Sequence, residues 1–217
     1  MVGTSSYVEK WGDNFDDGVI DSAKWPNPAS LVESADPPGT LTHGPNTLQT
    51  TSASFASEFT TATEWAYKIG IKVPTGQSWP GNRVGRALVG NDINLYVYKG
   101  SSTSTTFQFW VGNSDYTSGT FPWKSGNYNV DTFYDVGIRK EDGVNQYDIF
   151  VDGSEVGTDV VSNTYSGTPT TVHFGSGSSV VNWGPVFDYI YVGVPEPLSM
   201  SLLAVGGLAV LIRKRKR

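Results

Sequence analysis

Strict alternation of side-chain character between residues 65 and 73 limits the fold more than any other feature of this sequence. Large apolar residues occupy every second position, namely Trp65, Tyr67, Ile69, Ile71 and Val73. Small or charged residues fill the positions between them, namely Ala66, Lys68, Gly70 and Lys72. A period of two residues predicts a β-strand with one buried face and one solvated face. Such a strand needs a sheet around it and a second layer to cover its apolar face.

Further strand patterns recur along the chain, separated by turn signals every 8 to 12 residues or so. Residues 47–59 are predicted to contain two strands, and one strand is predicted in each of 65–73, 84–89, 93–98, 105–111, 133–139, 146–151, 155–161, 170–175 and 186–192. Residues 26–44 are predicted to be a loop with at most one short strand, and residues 74–81 and 113–129 to be long loops. About eleven antiparallel strands with long loops favour a jelly-roll β-sandwich over an immunoglobulin fold.

The composition agrees with one all-β domain and excludes several chemistries. The chain of 217 residues contains 25 Gly and no Cys, so it forms no disulfide, zinc–thiolate or cysteine-nucleophile site. Removing five terminal cations and Glu196 from the totals leaves 10 Lys and Arg against 20 Asp and Glu over residues 1–194. A body with a net charge near −10 is a poor partner for nucleic acid, which requires a basic surface.

The last part of the chain has a different character. After Val194 come Pro195-Glu196-Pro197, an uncharged stretch over residues 198–212, and a terminal cluster, Arg213, Lys214, Arg215, Lys216 and Arg217. As a helix, the uncharged stretch is about 22 Å long, whereas a bilayer core is about 30 Å thick. Flanking cations can extend its reach and hold the C-terminus on the cytoplasmic side. The tail is therefore predicted to be a short hydrophobic membrane helix; the alternative is a core helix followed by a basic surface tail.

This tail resembles the PEP-CTERM sorting signal of exported proteins in Gram-negative bacteria. The resemblance covers residues 194–217 and includes the tripeptide, the apolar helix and the basic cluster in that order. It implies that an exosortase, a membrane protease/transpeptidase, recognises Pro195, Glu196 and Pro197. The inner-membrane-anchored precursor would then be processed and delivered to the cell envelope, the cell surface or the extracellular matrix.

Residues 1–12 contain neither a basic segment nor an apolar stretch of the kind found in a secretion signal. We interpret them as a remnant or linker, and expect the secretion signal to be encoded upstream of Met1. The predicted organisation is thus residues 1–12 as linker, 13–193 as the β-sandwich and 194–217 as the sorting signal.

A second resemblance concerns the β-sandwich. Residues 147–158, Tyr-Asp-Ile-Phe-Val-Asp-Gly-Ser-Glu-Val-Gly-Thr, are similar to a hairpin of laminin G-like and concanavalin A-like domains. Residues 13–18 with Trp25 resemble the opening strand of that fold, and residues 187–192 resemble the closing strand that pairs beside it. The resemblance implies a jelly roll of the concanavalin A-like lectin and glucanase type.

Alternation on two neighbouring strands separates candidate ligand residues from core. If Ile93, Leu95 and Val97 face the core, then the opposite, outer face carries Tyr96, Tyr98, Gln108 and Trp110. The long loops add Trp79, Tyr116 and Trp123. Flat rings beside an amide suit a neutral sugar, whose C–H face stacks on aromatic rings while its hydroxyls form hydrogen bonds. Carbohydrate or exopolysaccharide is the predicted ligand, although aromatic packing beneath loops is an alternative for each ring.

Two other functions remain open at this point, a glycoside hydrolase and a purely structural matrix protein. A glycosidase needs two carboxylates at a defined separation. The Glu-x-Asp-x-x-Glu pattern of glucanases is absent, and Asp148 and Asp152 lie about 13 Å apart if extended. No catalytic residue is therefore predicted.

The concanavalin A-like resemblance also implies a structural calcium ion where the first and last strands meet, with no other cofactor. Its ligands would be Asp188 with Asn14 or Asp16, together with a loop carbonyl near Gly44. Calcium binds carboxylate and carbonyl oxygens. The alternative for the acidic residues 13–17 is that they only shape a turn.

Overall fold

The computed structural model describes residues 7–22, 25, 31–35, 38–43, 48–50, 64–76, 79–88, 93–112, 121, 123–140, 146–161, 171–175 and 185–195. For residues 8–11, 31–35, 38–43, 48–50, 79–88, 93–94, 112, 161, 171–175 and 195 it describes the backbone only.

Two antiparallel sheets account for the described strands. The strands of the first sheet are β1 (Tyr7–Asp13), β2 (Leu31–Ala35), β3 (Pro38–His43), β5 (Trp65–Lys72), β11 (Phe133–Lys140), β12 (Gln146–Val151), β13 (Ser154–Val161) and β15 (Val186–Pro195). The strands of the second sheet are β4 (Leu48–Thr50), β6 (Trp79–Leu88), β7 (Ile93–Lys99), β8 (Thr106–Gly112), β9 (Trp123–Lys124), β10 (Tyr128–Asn129) and β14 (Thr171–Gly175). The predicted all-β, antiparallel class is confirmed.

The order of strands within each sheet differs from their order in the chain. The first sheet runs β13-β12-β11-β5-β15-β3-β2, with β1 also beside β15, and the second runs β10-β8-β7-β6-β14-β4, with β9 beside β8. The central strand β5 therefore pairs with β11 and β15, which lie far from it in sequence. These long-range pairings unite the chain into one sandwich.

One apolar core lies between the sheets. The first sheet contributes Tyr67, Ile69, Ile71, Val136, Ile138, Ile149 and Ile190, and the second contributes Leu95, Val97, Phe107, Phe109 and Val111. These residues are the apolar members of the alternating patterns, so the predicted inward faces of 65–73, 93–98 and 105–111 are confirmed. The outward faces of the same strands are thereby fixed as well, because successive side chains of a strand point to opposite sides.

The structure differs from the sequence prediction in several connections. Residues 26–44 contain two paired strands, β2 and β3, where at most one was predicted. The predicted loop 113–129 contains the short strands β9 and β10, both paired with β8. Strand β6 begins at Trp79, inside the predicted loop 74–81. Short strands without clear alternation are stabilised by their neighbours, which a sequence pattern does not show.

The two ends of the sandwich lie side by side. Strand β1 pairs with β15 from Tyr7 opposite Pro195 to Asp13 opposite Ile190. Residues 7–12, predicted to be a linker, are therefore part of the sheet, and the closing strand continues to the first proline of the tripeptide. An opening strand pairs with the closing strand as predicted, but it is formed by residues 7–13. Of the predicted opening strand, residues 13–18, only Asp13 belongs to it, and residues 14–18 are not in a strand.

Within the described ranges, no helix is long and apolar enough to cross a membrane. The predicted apolar helix 198–212 and the basic cluster 213–217 lie outside those ranges, as do Glu196 and Pro197.

Candidate functional site

The outer face of the second sheet carries a cluster of aromatic rings centred on Trp110. Trp110 lies on β8, opposite Tyr96 on β7 and Lys124 on β9. Tyr98 lies opposite Gln108 in the same β7–β8 pair. Because directly opposed residues share one face of a sheet, the register alone brings these side chains together. We call Tyr98, Gln108, Trp110, Phe121 and Lys124 the aromatic face.

Ring contacts define the shape of the aromatic face. The rings of Tyr98 and Trp110 are stacked, with centroids 4.2 Å apart and planes 12° apart. Phe121 lies against Trp110 at 4.7 Å and a tilt of 53°. The Trp110 indole N–H donates a hydrogen bond of 3.0 Å to Oε1 of Gln108. The stack and this hydrogen bond hold the Trp110 ring in one orientation, which preorganises the surface for a ligand.

The members of the aromatic face are partly accessible. Tyr98, Gln108, Trp110 and Phe121 are half-buried, and Lys124 is exposed. Among the described residues, the side-chain nitrogen of Gln108 has no hydrogen-bond partner, so it can donate to a ligand hydroxyl. The surface thus combines apolar rings with an amide donor, which are the two elements predicted for sugar recognition.

Tyr96 lies on the predicted face but is 0% exposed. The ring of Phe121 covers it edge-on, with centroids 4.9 Å apart. The prediction of Tyr96 as a ligand contact is therefore not supported, because its ring supports Phe121 from below. The register placed Tyr96 correctly, but it could not show that a residue distant in sequence lies over it.

Trp123 has a structural position. It pairs with Val111, which faces the core, whereas the next residue, Lys124, pairs with the outward-facing Trp110. The Trp123 indole N–H donates to the carbonyl oxygen of Val156 at 3.2 Å and thereby links β9 to β13 of the other sheet. Trp123 therefore closes one side of the sandwich and does not belong to the aromatic face.

Two further candidates cannot be placed on the aromatic face. Trp79 begins β6, where its backbone pairs with Lys99, and its side chain is outside the description. Tyr116 lies outside the described residues. Conversely, Phe121 and Lys124 belong to the aromatic face without having been predicted. Both lie in the region 113–129, which was predicted to be a loop.

The outer face of the first sheet carries a second aromatic pair with a different environment. Tyr189 and Tyr191 are stacked, with centroids 5.2 Å apart. The Tyr189 ring lies across Gly70, where an added Cβ would be 2.9 Å from the ring. Burial, followed by the nearby carboxylate of Asp135, raises the pKa of Tyr189. Lys68 forms an ion pair of 2.6 Å with Asp135, and its Nζ lies 5.1 Å from the centre of the Tyr189 ring.

The described residues of the predicted calcium site form hydrogen bonds within their own turn. Asn14 donates its side-chain N–H to Oδ2 of Asp16 at 2.6 Å. Both oxygens of Asp13 accept hydrogen bonds, from Phe15 N at 3.2 Å and from the Trp25 indole at 2.8 Å. No group of three or more His, Asp or Glu side chains able to hold a metal is found within the described part of the chain. The acidic residues therefore fit the alternative, in which they shape a turn and anchor Trp25.

Asp188, the main predicted calcium ligand, lies at a bulge in β15 between Phe187 and Tyr189. Burial raises the pKa of its carboxyl group. The carbonyl expected near Gly44 lies outside the described residues, so the calcium site stays a prediction.

No protein-family model and no curated protein matches this chain. Solved structures of similar fold exist at low identity. A GH43 glycoside hydrolase engineered to display endo-xylanase and exo-arabinofuranosidase activity aligns with TM-score 0.56 and 11% identity, covering 88% of this chain and 42% of the hydrolase. The carbohydrate esterase of the Shiga toxin-encoding bacteriophage phi24B aligns with TM-score 0.55 and 11% identity, covering 88% of this chain and 100% of the esterase.

A variant of the GH43 protein from Bacillus licheniformis aligns with TM-score 0.52 and 13% identity, covering 84% of this chain and 39% of the other. This chain thus spans less than half the length of both GH43 proteins. At these identities the similarity defines the fold, an antiparallel β-sandwich.

Proposed function

We propose that this protein is an exported, non-enzymatic β-sandwich that binds carbohydrate through the aromatic face. The observation that carries the proposal is the stacked Tyr98–Trp110 pair with Gln108 beside it on an accessible sheet surface. A sugar ring stacks its C–H groups on such rings, while an amide donor binds its hydroxyls. The similar solved structures come from carbohydrate-active proteins, which is consistent with a carbohydrate ligand.

A binding role accounts for this sheet better than hydrolysis. A glycosidase needs a pair of carboxylates beside the bound sugar. None of the seven strands of the second sheet contains Asp or Glu. The strands that carry the aromatic face therefore supply no general acid, base or nucleophile of the usual kind.

The first prediction concerns Trp110. Replacing Trp110 by alanine removes the central ring and the stacking partner of Tyr98, and we expect a loss of glycan affinity of about five- to thirtyfold, since an aromatic contact contributes about 1–2 kcal/mol. The measurement is a glycan array with the full chain, followed by titration of the strongest ligand. A reducing-sugar assay on the same glycan tests hydrolysis.

The matched control is Tyr191→Ala, which removes one ring of the stacked pair on the opposite sheet. This variant should retain wild-type affinity. Thermal unfolding of both variants separates loss of binding from loss of fold. A wild-type chain that binds no glycan, or a Trp110→Ala variant that binds as wild type, contradicts the proposal; release of reducing ends contradicts its non-enzymatic part.

We further propose that the C-terminal tail delivers this domain to the cell envelope or extracellular matrix through an exosortase. The motif Pro195-Glu196-Pro197 begins at the last residue of β15, so no spacer separates the folded sheet from the tripeptide. Two prolines within three residues disfavour a helix across the tripeptide, which suits a segment that an enzyme must recognise. The cations 213–217 hold the end of the apolar segment at the inner-membrane surface before processing.

The sorting proposal predicts that processing depends on the tripeptide. In a bacterium that has an exosortase, a tagged chain with Pro195→Ala and Pro197→Ala should accumulate as an unprocessed membrane-bound precursor. Immunoblotting of membrane, envelope and medium fractions measures this. Normal maturation of a chain that lacks residues 195–217 would overturn the proposal, and Pro80→Ala serves as a proline control outside the tail.

A further inference from the structure

Charged residues are distributed unequally between the two sheets. The strands of the first sheet contain eight Asp or Glu and five Lys or Arg. The strands of the second sheet contain no acidic residue and four cations, Arg83, Arg86, Lys99 and Lys124. In a body with a net charge near −10, the sheet that carries the aromatic face is thus locally basic along its strands.

Lys124 is the cation of the aromatic face. Its Nζ lies 4.4 Å from the centre of the Trp110 ring and 5.8 Å from that of Phe121. Its side chain is exposed, and no carboxylate among the described residues forms an ion pair with it. By contrast, Lys68 and Arg139 on the first sheet are paired with Asp135 and Asp148. Within the described residues, Lys124 therefore presents a positive charge without an ion-pair partner beside the Trp110 ring.

The backbone register brings further cationic positions to the same face. Arg83 lies opposite Tyr96, and Arg86 lies opposite Asn94. Tyr96 and Asn94 alternate along β7 with the core-facing Leu95 and Val97, so the backbone positions opposite them on β6 belong to the outer face. Lys99 does not add to this surface, because its side chain is 0% exposed and its Nζ donates to the carbonyl oxygen of Pro74 at 3.3 Å.

We propose that the aromatic face binds an acidic glycan, one that carries carboxylate or sulfate groups. This inference rests on the proposed carbohydrate-binding function and specifies its ligand class. A sugar ring packs on Tyr98 and Trp110. The Lys124 ammonium then binds the anionic group of the sugar instead of the indole ring. An exposed cation–π contact is weak, so a charge-assisted hydrogen bond replaces it readily.

The net negative charge of the body does not oppose this binding strongly. At physiological ionic strength, charges separated by more than about 8 Å are largely screened. The charge of Lys124, beside the rings, is therefore the described charge that acts most strongly on a bound sugar. The protein as a whole remains acidic, which disfavours nonspecific binding of other polyanions.

The experiment compares matched acidic and neutral polymers on immobilised full-length protein. The probes are polygalacturonate against its carboxyl-reduced form, and dextran sulfate against dextran. We expect the acidic member of at least one pair to bind about tenfold more tightly at 0.1 M NaCl, and that preference to decline at higher salt. Which pair shows the preference distinguishes carboxylate from sulfate recognition.

Two lysine variants test whether the preference for acidic polymers depends on Lys124. Lys124→Gln should lower the ratio of the affinity for the preferred acidic polymer to the affinity for its neutral counterpart about five- to tenfold. The control is Lys72→Gln, because Lys72 lies over the Phe133 ring at 4.9 Å on the first sheet and resembles Lys124 in its local contact. Lys72→Gln should bind both polymers as wild type does.

Different results separate this inference from the proposed function. Equal affinity for acidic and neutral polymers, both lost in Trp110→Ala, overturns the acidic ligand and leaves carbohydrate binding intact. An acidic preference that persists in Lys124→Gln also overturns it. If single-stranded oligothymidylate binds as tightly as the acidic polymer, the surface binds polyanions in general, and the acidic-glycan proposal is overturned. Absence of binding to every glycan on the array refutes the proposed function itself.

Discussion

Replacing Arg139 by leucine should lower the free energy of unfolding by about 3 kcal/mol, because it leaves a buried carboxylate without its counter-charge. Asp148 is 1% exposed and accepts hydrogen bonds from Nε and Nη2 of Arg139. Its other oxygen accepts the backbone N–H of Asp159 at 3.2 Å. In a domain of about 190 residues, this loss corresponds to a decrease in Tm of roughly 6–12 °C. Thermal and urea unfolding of the full chain measure it.

The double variant Arg139→Leu with Asp148→Leu tests whether the loss of stability comes from the unpaired Asp148 carboxylate. Replacing both members of a buried ion pair by apolar residues is often close to neutral, so the double variant should be more stable than Arg139→Leu alone. Lys72→Gln, on the outer face of the same sheet, should change the free energy of unfolding by less than about 0.5 kcal/mol. A cost below about 1 kcal/mol for Arg139→Leu would contradict the role assigned to this pair.

The parts of the fold that follow strict local rules could be predicted from the sequence. Alternation in β5 identified its buried side, and the same rule separated Leu95 and Val97 from Tyr98 in β7. The hairpin implied by the resemblance over residues 147–158 turns at Asp152-Gly153, and both residues have positive φ, 50° and 76°, as a type I′ hairpin requires. Each of these features depends only on residues close together in sequence.

The candidate site was harder to predict because it depends on contacts between distant residues. The positions of Tyr98, Gln108 and Trp110 followed from alternation, but the covering of Tyr96 by Phe121 did not. The opposite orientations of Trp123 and Lys124 depend on their pairing with β8, and a strand of two residues has too little pattern to predict that pairing. The acidic turn at residues 13–17 was ambiguous for the same reason, because only the structure shows that Asp13 holds Trp25.

Gly157 is a position where only a glycine fits, and the local sequence pattern did not predict this. An added Cβ there would lie 2.6 Å from Nε1 of Trp123 and 3.0 Å from two ring carbons. The ring cannot withdraw easily, because it packs against the core and its N–H is bonded to the carbonyl oxygen of Val156. The glycine is thus required where β9 of one sheet closes over β13 of the other.

Gly157→Ala should therefore lower the free energy of unfolding by about 3 kcal/mol, since overpacking costs about 1–3 kcal/mol and loss of the Trp123 hydrogen bond about 1 kcal/mol. Calorimetric or urea unfolding provides the measurement. Gly126→Ala is the control, because an added Cβ at Gly126 meets nothing within 4 Å, and it should cost less than about 0.5 kcal/mol. The cost of Gly157→Ala should also decrease in a Trp123→Leu background, where the smaller side chain leaves room for the methyl group. Equal costs in the two backgrounds would mean that Trp123 is not what excludes a side chain at this position.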